Sequence, residues 1–405
     1  MTVEIIPQKL RGAVSLPAGK SMLQRYILAA SLADGESVIK GFSSCEDVEA
    51  MISCAEAFGA RFHVDGYSLR IEGIAGKYCE EGIPVFNCKE SATVLRFLIP
   101  VSLALSGGGV FSLSGSLLKR PLKPYYNLFD KCGIEYEMKD SLLTVRGELK
   151  SGDYILPGNV SSQFFSGLLF ALALCDGDSI IRSESRIESS GYIEMTRQAL
   201  KCANIETTED GNGLYVSRGN YRCISVTAPQ DSSAAAFWHG ANFIGNNISI
   251  TNMTESDTSP DSAAVDIMNR ISAGGSLEIS VADCPDLAPA LSVVAALNDG
   301  EFRISHAERL RYKESDRLHA ISKTLEMLGA DICETDDGLH IEGKRQLNGG
   351  VTVNPYHDHR IVMMLAIAAS RCCKPVRIED AECVSKSYPG FFEDYRALGG
   401  VVNVI

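Results

Sequence analysis

One pattern recurs six times along this chain of 405 residues, and it limits the possible folds more than any single motif. A polar or charged opening leads into a small-residue apolar run: KSMLQRYILAASL from Lys20, SATVLRFLIPVSLAL from Ser91, SSQFFSGLLFALAL from Ser161, DSSAAAFWHGANFI from Asp231, DLAPALSVVAAL from Asp286 and DHRIVMMLAIAA from Asp358. The spacings are 71, 70, 70, 55 and 72 residues. Each run is too long for a strand and richer in Leu and Ala than in Val and Ile, so it reads as a buried helix. A unit of this size cannot bury such a helix alone, and the units must pack on one another.

A second element follows each run: an amphipathic helix with a Gly or Asn stop (Gly59, Gly133, Asn204, Gly274, Gly329 and Gly399) and, in most copies, a hairpin. The first copy is EDVEAMISCAEAFGA followed by RFHVDGYSLRIEGI, with Asp65-Gly66 at the turn. The fourth copy is shortened to SLEISVADC. The sixth ends at VVNVI, and its missing partner strand is sought at the other end of the chain, in TVEIIP or AVSLP. A chain this long is expected to form two domains. Three repeats per domain is the natural grouping; two plus four is the other. The expected fold is α/β, a two-domain inverse α/β barrel of βαβαββ-like repeats with apolar helices inside and sheets outside. Residues 1–16 and 226–405 would form a discontinuous domain closed by the N-terminal strand, with 17–225 inserted as the other.

The net charge of −13 argues against a general nucleic-acid binder. The chain has 13 cysteines and no Cys-x-x-Cys pair, which fits reduced core thiols better than a disulfide scaffold or a zinc site. No apolar run is long enough to cross a bilayer and no leader pattern opens the chain, so a cytoplasmic, membrane-free monomer is expected.

Against this acidic background the repeat junctions are basic: Lys20, Arg25, Arg96, Arg120, Lys313, Arg317, Arg360 and Lys386. Helix starts bind anions through free N–H groups and the macrodipole. Recurrence at equivalent places therefore points to a site for a polyanionic small molecule. Gly19-Lys20-Ser21 is not a P-loop, because the position five residues before Gly19 holds Val14 where that motif has Gly. Ser161-Ser162-Gln163 reads as a cap that also lines a ligand, and Asp286 as a carboxylate at a helix start. The densest charge cluster runs from Arg309 to Arg317 (RLRYKESDR). His357-Asp358-His359-Arg360 invites a metal, but no further spaced Cys or His supports one. No metal is expected, and Arg360 reads as an anion ligand.

At these residues the chain resembles the 5-enolpyruvylshikimate-3-phosphate synthase family of enolpyruvyl transferases. The resemblance rests on Lys20-Ser21 with Arg25, Thr93 with Arg96, Arg120-Pro121, Ser161-Ser162-Gln163, Tyr192, Asp286, Lys313-Glu314-Ser315-Asp316-Arg317, Asp358-His359-Arg360 and Lys386 before a Pro. It implies transfer of the carboxyvinyl group of phosphoenolpyruvate to the 5-hydroxyl of shikimate 3-phosphate in an interdomain cleft, with no cofactor. Lys20, Ser21, Arg25, Ser161, Ser162, Gln163, Ser189, Asp286 and Lys313 would meet shikimate 3-phosphate. Lys20, Ala92, Arg120, Gln163, Arg317, Arg360 and Lys386 would meet phosphoenolpyruvate. Asp286, Glu314 and Lys20 would be catalytic, with Asp286 taking the hydroxyl proton and Glu314 handling the methylene proton.

The chain departs from the family pattern at Lys89-Glu90-Ser91-Ala92-Thr93. There the methyl of Ala92 narrows the phosphoenolpyruvate pocket and should weaken inhibition by glyphosate. Arg309 stands where some members have Asn, and Pro17-Ala18-Gly19 replaces Pro-Gly-Ser. The nearest rival is the sister enzyme acting on UDP-N-acetylglucosamine, which uses a Cys in the loop before its Arg-Pro pair. This chain has Ser114-Gly115-Ser116-Leu117-Leu118-Lys119 there. A non-enzymatic six-repeat clamp is the other alternative, but it needs basic lining helices and these are apolar.

Overall fold

A computed structural model of the chain describes residues 1–78, 81–253 and 258–405. The chain forms two compact units, Met1–Pro17 with Gln230–Ile405 (the outer unit) and Ala18–Pro229 (the inserted unit). Among the described residues twelve α-helices alternate between two kinds. In the inserted unit these are α1 (Lys20–Leu32), α2 (Glu46–Glu56), α3 (Ala92–Leu105), α4 (Lys123–Cys132), α5 (Ser162–Leu172) and α6 (Ser190–Cys202). The outer unit has α7 (Ser232–Phe243), α8 (Ala264–Ser272), α9 (Ala288–Ala296), α10 (Arg317–Leu328), α11 (His359–Ala369) and α12 (Phe391–Ala397).

The odd-numbered helices are apolar nearly all round, so no face of them can meet water, and they are buried along almost their whole length. The even-numbered helices are amphipathic. Five of the six are followed by a Gly in the left-handed region, and α6 by Asn204 at φ 61°, the other residue that tolerates it. The apolar helices can pack closely because small residues sit where they cross. Pro100 within α3 has no N–H to give to the Arg96 carbonyl four residues back. The buried Tyr125 hydroxyl donates to that carbonyl instead, at 2.7 Å. Gly167 of α5 lies against the same spot, where an added Cβ would fall 2.2 Å from the Arg96 oxygen.

Each complete repeat makes a four-stranded sheet by one rule. The strand before the apolar helix is parallel to the strand after it, as a helical crossover between them allows, and the hairpin adds antiparallel beyond. Repeat two runs Val85–Asn87, Gly108–Ser112, Leu142–Arg146, Glu135–Lys139 across its sheet. Repeat three runs Asp153–Leu156, Ser179–Ser183, Gly213–Val216, Thr207–Asp210, and repeat five Ser276–Ser280, Glu301–Ser305, Leu339–Glu342, Asp331–Glu334. Alternate side chains of these strands face the helices and the rest face water, so in each unit the sheets lie outside the apolar helices.

Three repeats borrow strands. Repeat one opens on Ser225–Thr227, paired parallel to Glu36–Lys40, so the last strand of the inserted unit completes its first sheet. The crossing back therefore falls at Pro229–Gln230 rather than at residue 226. The sixth sheet takes Val3–Ile6 between Val376–Ile378 and Val401–Val404, with Val3 opposite both Ile378 and Val404. The fourth repeat has no hairpin among the described residues. It is the pair Arg11–Val14 and Asn247–Ile250, parallel, with α7 as crossover. The inserted unit lies within that crossover. The first hairpin closes through Gly66-Tyr67, between the paired Asp65 and Ser68, one residue later than its Asp-Gly signal suggests.

Candidate active site

In the inserted unit the N-terminal ends of α1, α3 and α5 gather. Gln24 of α1 donates to the hydroxyl of Ser91, the residue before α3, at 3.2 Å, and to the Asp47 carbonyl at 3.0 Å. Gln163 in the first turn of α5 donates to Thr93 of α3 at 2.9 Å. Lys20, the first residue of α1, meets the Asp47 carboxylate at 2.8 Å. Arg96 donates to Gln163 at 2.8 Å, to Ser161 at 3.4 Å and to the Pro121 carbonyl at 3.1 Å, with its guanidinium over the Phe164 ring. Burial pulls its pKa down to about 9, and the like charge of Arg120 adds to the shift. Arg96, close enough to Arg120 to feel its charge, thus rests on acceptors that are neutral amides, hydroxyls and carbonyls, an arrangement suited to an anion.

Arg25 is more committed. It is buried and spans α1 and α6, donating to Thr196 at 2.8 Å, the Ser21 carbonyl at 2.7 Å and the Tyr192 carbonyl at 2.9 Å. Desolvation lowers its pKa to about 10. Ser161 caps α5 by accepting from the Gln163 N–H at 3.3 Å, and Ser162 behind it is buried. Ser189, just before α6, is buried with φ at 58°. Ala92 is the buried first residue of α3. Its neighbour Glu90 explains Gly115, which has φ 52° and would put a Cβ 1.7 Å from the Glu90 carboxylate. The positive φ favours glycine at this position, which opens the turn Gly115–Lys119 that leads to Arg120.

In the outer unit the helix starts carry carboxylates. Asp286 lies in the short turn Pro285–Leu287 that feeds α9, two residues ahead of the helix itself. Its carboxylate meets Lys313 at 3.2 Å, Arg317 at 2.9 Å and Arg360 at 3.0 Å. Burial alone would raise its pKa, but Arg360, Lys313 and Arg317 hold it well below the usual carboxylate range. Arg317, wholly buried, joins three acids: Asp286, Glu314 at 2.5 Å and Asp358 at 2.9 Å. Asp358 also caps α11, accepting from the Arg360 N–H at 2.9 Å, and takes the Ser315 hydroxyl at 3.0 Å. Burial lowers the Lys313 pKa, with Asp286 opposing and Arg317 assisting. His359 and the Ser387 hydroxyl lie 2.5 Å apart, which ties the start of α11 to the turn Ala381–Lys386 that ends in the buried Lys386. Arg309 points to the Ala282 carbonyl, 2.5 Å away.

Of the residues singled out from sequence, Asp286, Lys313, Glu314, Arg317 and Arg360 thus form one contact network in the outer unit. Lys20, Ser21, Arg25, Ser161, Gln163 and Arg120 line the helix starts of the inserted unit. Sequence reasoning missed Asp47, Asp231 and Asp261. Asp47 reads as an ordinary acid in a first helical turn, and only the fold puts it on Lys20. Asp231 caps α7, accepting from the Ala234 N–H at 2.9 Å, and its charge reaches Arg360. Asp261 is buried, accepts the Ser233 hydroxyl and has its pKa raised to about 6, by burial first and then by the charge of Asp286.

The family described as EPSP synthase (3-phosphoshikimate 1-carboxyvinyltransferase) matches residues 5–395. The chain belongs to that family. Among its relatives, the 3-phosphoshikimate 1-carboxyvinyltransferase of Clostridium botulinum (strain Alaska E43 / Type E3) is 39% identical, over 98% of both chains. That of Clostridioides difficile (strain 630) is 40% identical, over 99% of this chain and 98% of its own. The fold matches the EPSP synthase structure from Acinetobacter baumannii with a TM-score of 0.82, at 22% identity and complete coverage of both chains. It also matches an enolpyruvyl transferase from Streptomyces tendae with a TM-score of 0.78, at 16% identity, over 99% of this chain and 98% of that one. The EPSP synthase family accounts for the six repeats and the α/β inverse-barrel architecture read from the sequence.

Proposed function

We propose that this member of the family transfers the enolpyruvyl group of phosphoenolpyruvate to the 5-hydroxyl of shikimate 3-phosphate and releases inorganic phosphate. The observation that carries the reading is Asp286, a partly buried carboxylate held at hydrogen-bond distance by Lys313, Arg317 and Arg360. Both substrates bring several negative charges. In the free enzyme the three cations keep Asp286 ionised and a weak base. Phosphate and carboxylate groups arriving beside those cations share their field, which raises the basicity of Asp286 when a hydroxyl is there to deprotonate.

The steps balance as addition followed by elimination. Asp286 accepts the proton of the 5-hydroxyl as its oxygen bonds to the central carbon of phosphoenolpyruvate, and Glu314 delivers a proton to the methylene carbon. Glu314 then removes a proton from the resulting methyl group, the double bond re-forms, and phosphate leaves with the proton that Asp286 took, which restores both carboxyl groups. Lys20, Arg120, Arg317, Arg360 and Lys386, with Gln163 and Ala92, receive phosphoenolpyruvate. Lys20, Ser21, Arg25, Ser161, Ser162, Gln163, Ser189, Asp286 and Lys313 receive shikimate 3-phosphate. Arg25 is assigned a second duty in holding α1 to α6, since its three nitrogens already have protein acceptors. The enzyme acts as a cytoplasmic monomer without metal or organic cofactor.

The test is phosphate release with phosphoenolpyruvate and shikimate 3-phosphate, run beside a parallel assay with UDP-N-acetylglucosamine as acceptor. Release with the first acceptor alone is expected. Release only with the second, or with neither, defeats the assignment.

A further inference from the structure

Beside the start of α11 the fold assembles three side chains that the sequence keeps apart. The ligand atoms of His357, Asp380 and Cys383 all lie within 4.8 Å of one another. His357 Nδ1 and Asp380 Oδ2 are 2.6 Å apart. His357 and Asp380 each sit in the left-handed backbone region, at φ 55° and 47°, a conformation uncommon outside glycine that Asp and His hold more readily than most. The imidazole is open to solvent, the carboxylate partly so, and the Cys383 side chain is buried behind them. An ion arriving from water therefore meets the histidine and aspartate first and the sulfur last. A second group, Glu314, Asp358 and His359, has comparable spacing. The Arg317 guanidinium already contacts both of its carboxylates, so a cation there would compete with a buried positive charge.

From this geometry we propose that His357, Asp380 and Cys383 form a binding site for a divalent transition metal of the zinc class. One imidazole nitrogen, one thiolate sulfur and one carboxylate oxygen make a borderline-to-soft donor set that suits Zn²⁺ or Co²⁺ and not Mg²⁺ or Ca²⁺. Three protein ligands with a solvent-facing side leave a fourth tetrahedral position for water. On binding, the Cys383 thiol gives up its proton to solvent, as does the imidazole nitrogen that takes the metal, and the metal replaces the proton between His357 and Asp380. Separations near the 4.8 Å limit need to close by about an ångström and the 2.6 Å His357–Asp380 pair to open by about as much, since donor-to-metal bonds of about 2.0–2.3 Å place tetrahedral ligands roughly 3.5 Å apart.

The position has a structural consequence. Arg360 lies three residues after His357, and Lys386 three residues after Cys383. An ion held by His357 and Cys383 links the segment leading into α11, which carries Arg360, to the turn Ala381–Lys386 that ends in the other cation. This role is separate from the transfer chemistry, which needs no metal.

The experiment is titration of the untagged, chelator-treated full chain with Co²⁺ alone, followed by competition with Zn²⁺. One equivalent of Co²⁺ should give a thiolate-to-cobalt charge-transfer band in the near ultraviolet with intense tetrahedral visible bands, all abolished by Zn²⁺. Cys383→Ser should remove the charge-transfer band. His357→Ala and Asp380→Asn, both at solvent-accessible positions, should weaken binding more than about tenfold, because losing a direct ligand costs at least as much as losing an outer-shell partner. Cys132→Ser, at an exposed cysteine elsewhere, should change nothing. The absence of a charge-transfer band, or an undiminished band in His357→Ala and Asp380→Asn, overturns the site. Because metal binding is read directly, neither outcome depends on whether the transferase assignment holds.

Discussion

The two units repeat one architecture, and the ends of their apolar helices carry opposite chemistry. In the inserted unit α1, α3 and α5 begin at Gly19, Ser91 and Ser161, and the nearby charges are mostly positive: Lys20, Arg25, Arg96 and Arg120. In the outer unit α7 and α11 are capped by Asp231 and Asp358, and α9 is preceded by Asp286. Each of these acids lies within the field of Arg317 or Arg360. A helix start capped by a neutral group leaves its dipole and N–H groups for an incoming anion, whereas a carboxylate cap uses them internally. The inserted unit thus leaves its helix ends open to negative charge, whereas the outer unit sets carboxylates there beside buried arginines. Neutral caps and carboxylate caps make contrary use of the same kind of helix end, and a duplicated scaffold lets each copy carry one of them.

The largest expected effect tests that division directly. Asp286→Asn should lower kcat by about 10²–10⁴-fold with KM within a few-fold, and Glu314→Gln should act the same way. Lys20→Ala and Arg120→Ala should mainly raise KM. Normal turnover in both carboxylate variants, or a kcat loss confined to the inserted unit, breaks the comparison.

Stability should divide along the same line. Arg317→Met strands the buried Asp358 and the partly buried Glu314, so urea unfolding should show a loss of about 3–5 kcal/mol. Arg96→Met leaves only neutral acceptors behind and should cost roughly 1–3 kcal/mol. Equal losses would mean that the carboxylates of the outer unit are not its distinguishing feature.

A third expectation concerns pH. The Asp261 carboxyl titrates at about 6 in the folded chain, above its ordinary value of roughly 3.9. The stabilisation from its protonated form is complete below the ordinary value and is lost as pH rises through about 6. Asp261→Asn should abolish this loss, giving a thermal midpoint flatter between pH 4 and 7 by the equivalent of about 3 kcal/mol or less. An unchanged slope would place the titration elsewhere. The smallest effect is expected at Ala92: removing its methyl in Ala92→Gly should strengthen glyphosate inhibition severalfold while leaving kcat nearly unchanged, as inhibition curves of the two proteins would show.

The six helices and their stops were legible because burial on all sides and a left-handed stop each leave a local mark, visible as the Leu/Ala runs and as residues such as Gly133 and Gly329. The cations were legible because arginine and lysine at a helix start are unusual in so acidic a chain. Asp47 and Asp261 were not, since an acid near a helix start is ordinary in sequence and only tertiary structure supplies Lys20 or the buried neighbourhood of Asp286. The same limit hid the company of His357: Cys383 is far along the chain, and no spacing rule links it to that histidine. Strand borrowing was half legible, because the open end at VVNVI signals a missing neighbour, whereas nothing local marks Ser225–Thr227 as the first strand of the first sheet.

That borrowing imposes a timetable on synthesis. The inserted unit has all its strands once Thr227 is made, but Val3–Ile6 must wait for both of its neighbours, ending with Val401–Val404. At ribosomal speeds of about 5–20 residues per second, that wait lasts roughly 20–80 seconds. Throughout it, an apolar segment made at the outset has no place to pair, and the unit emitted in the middle can finish first.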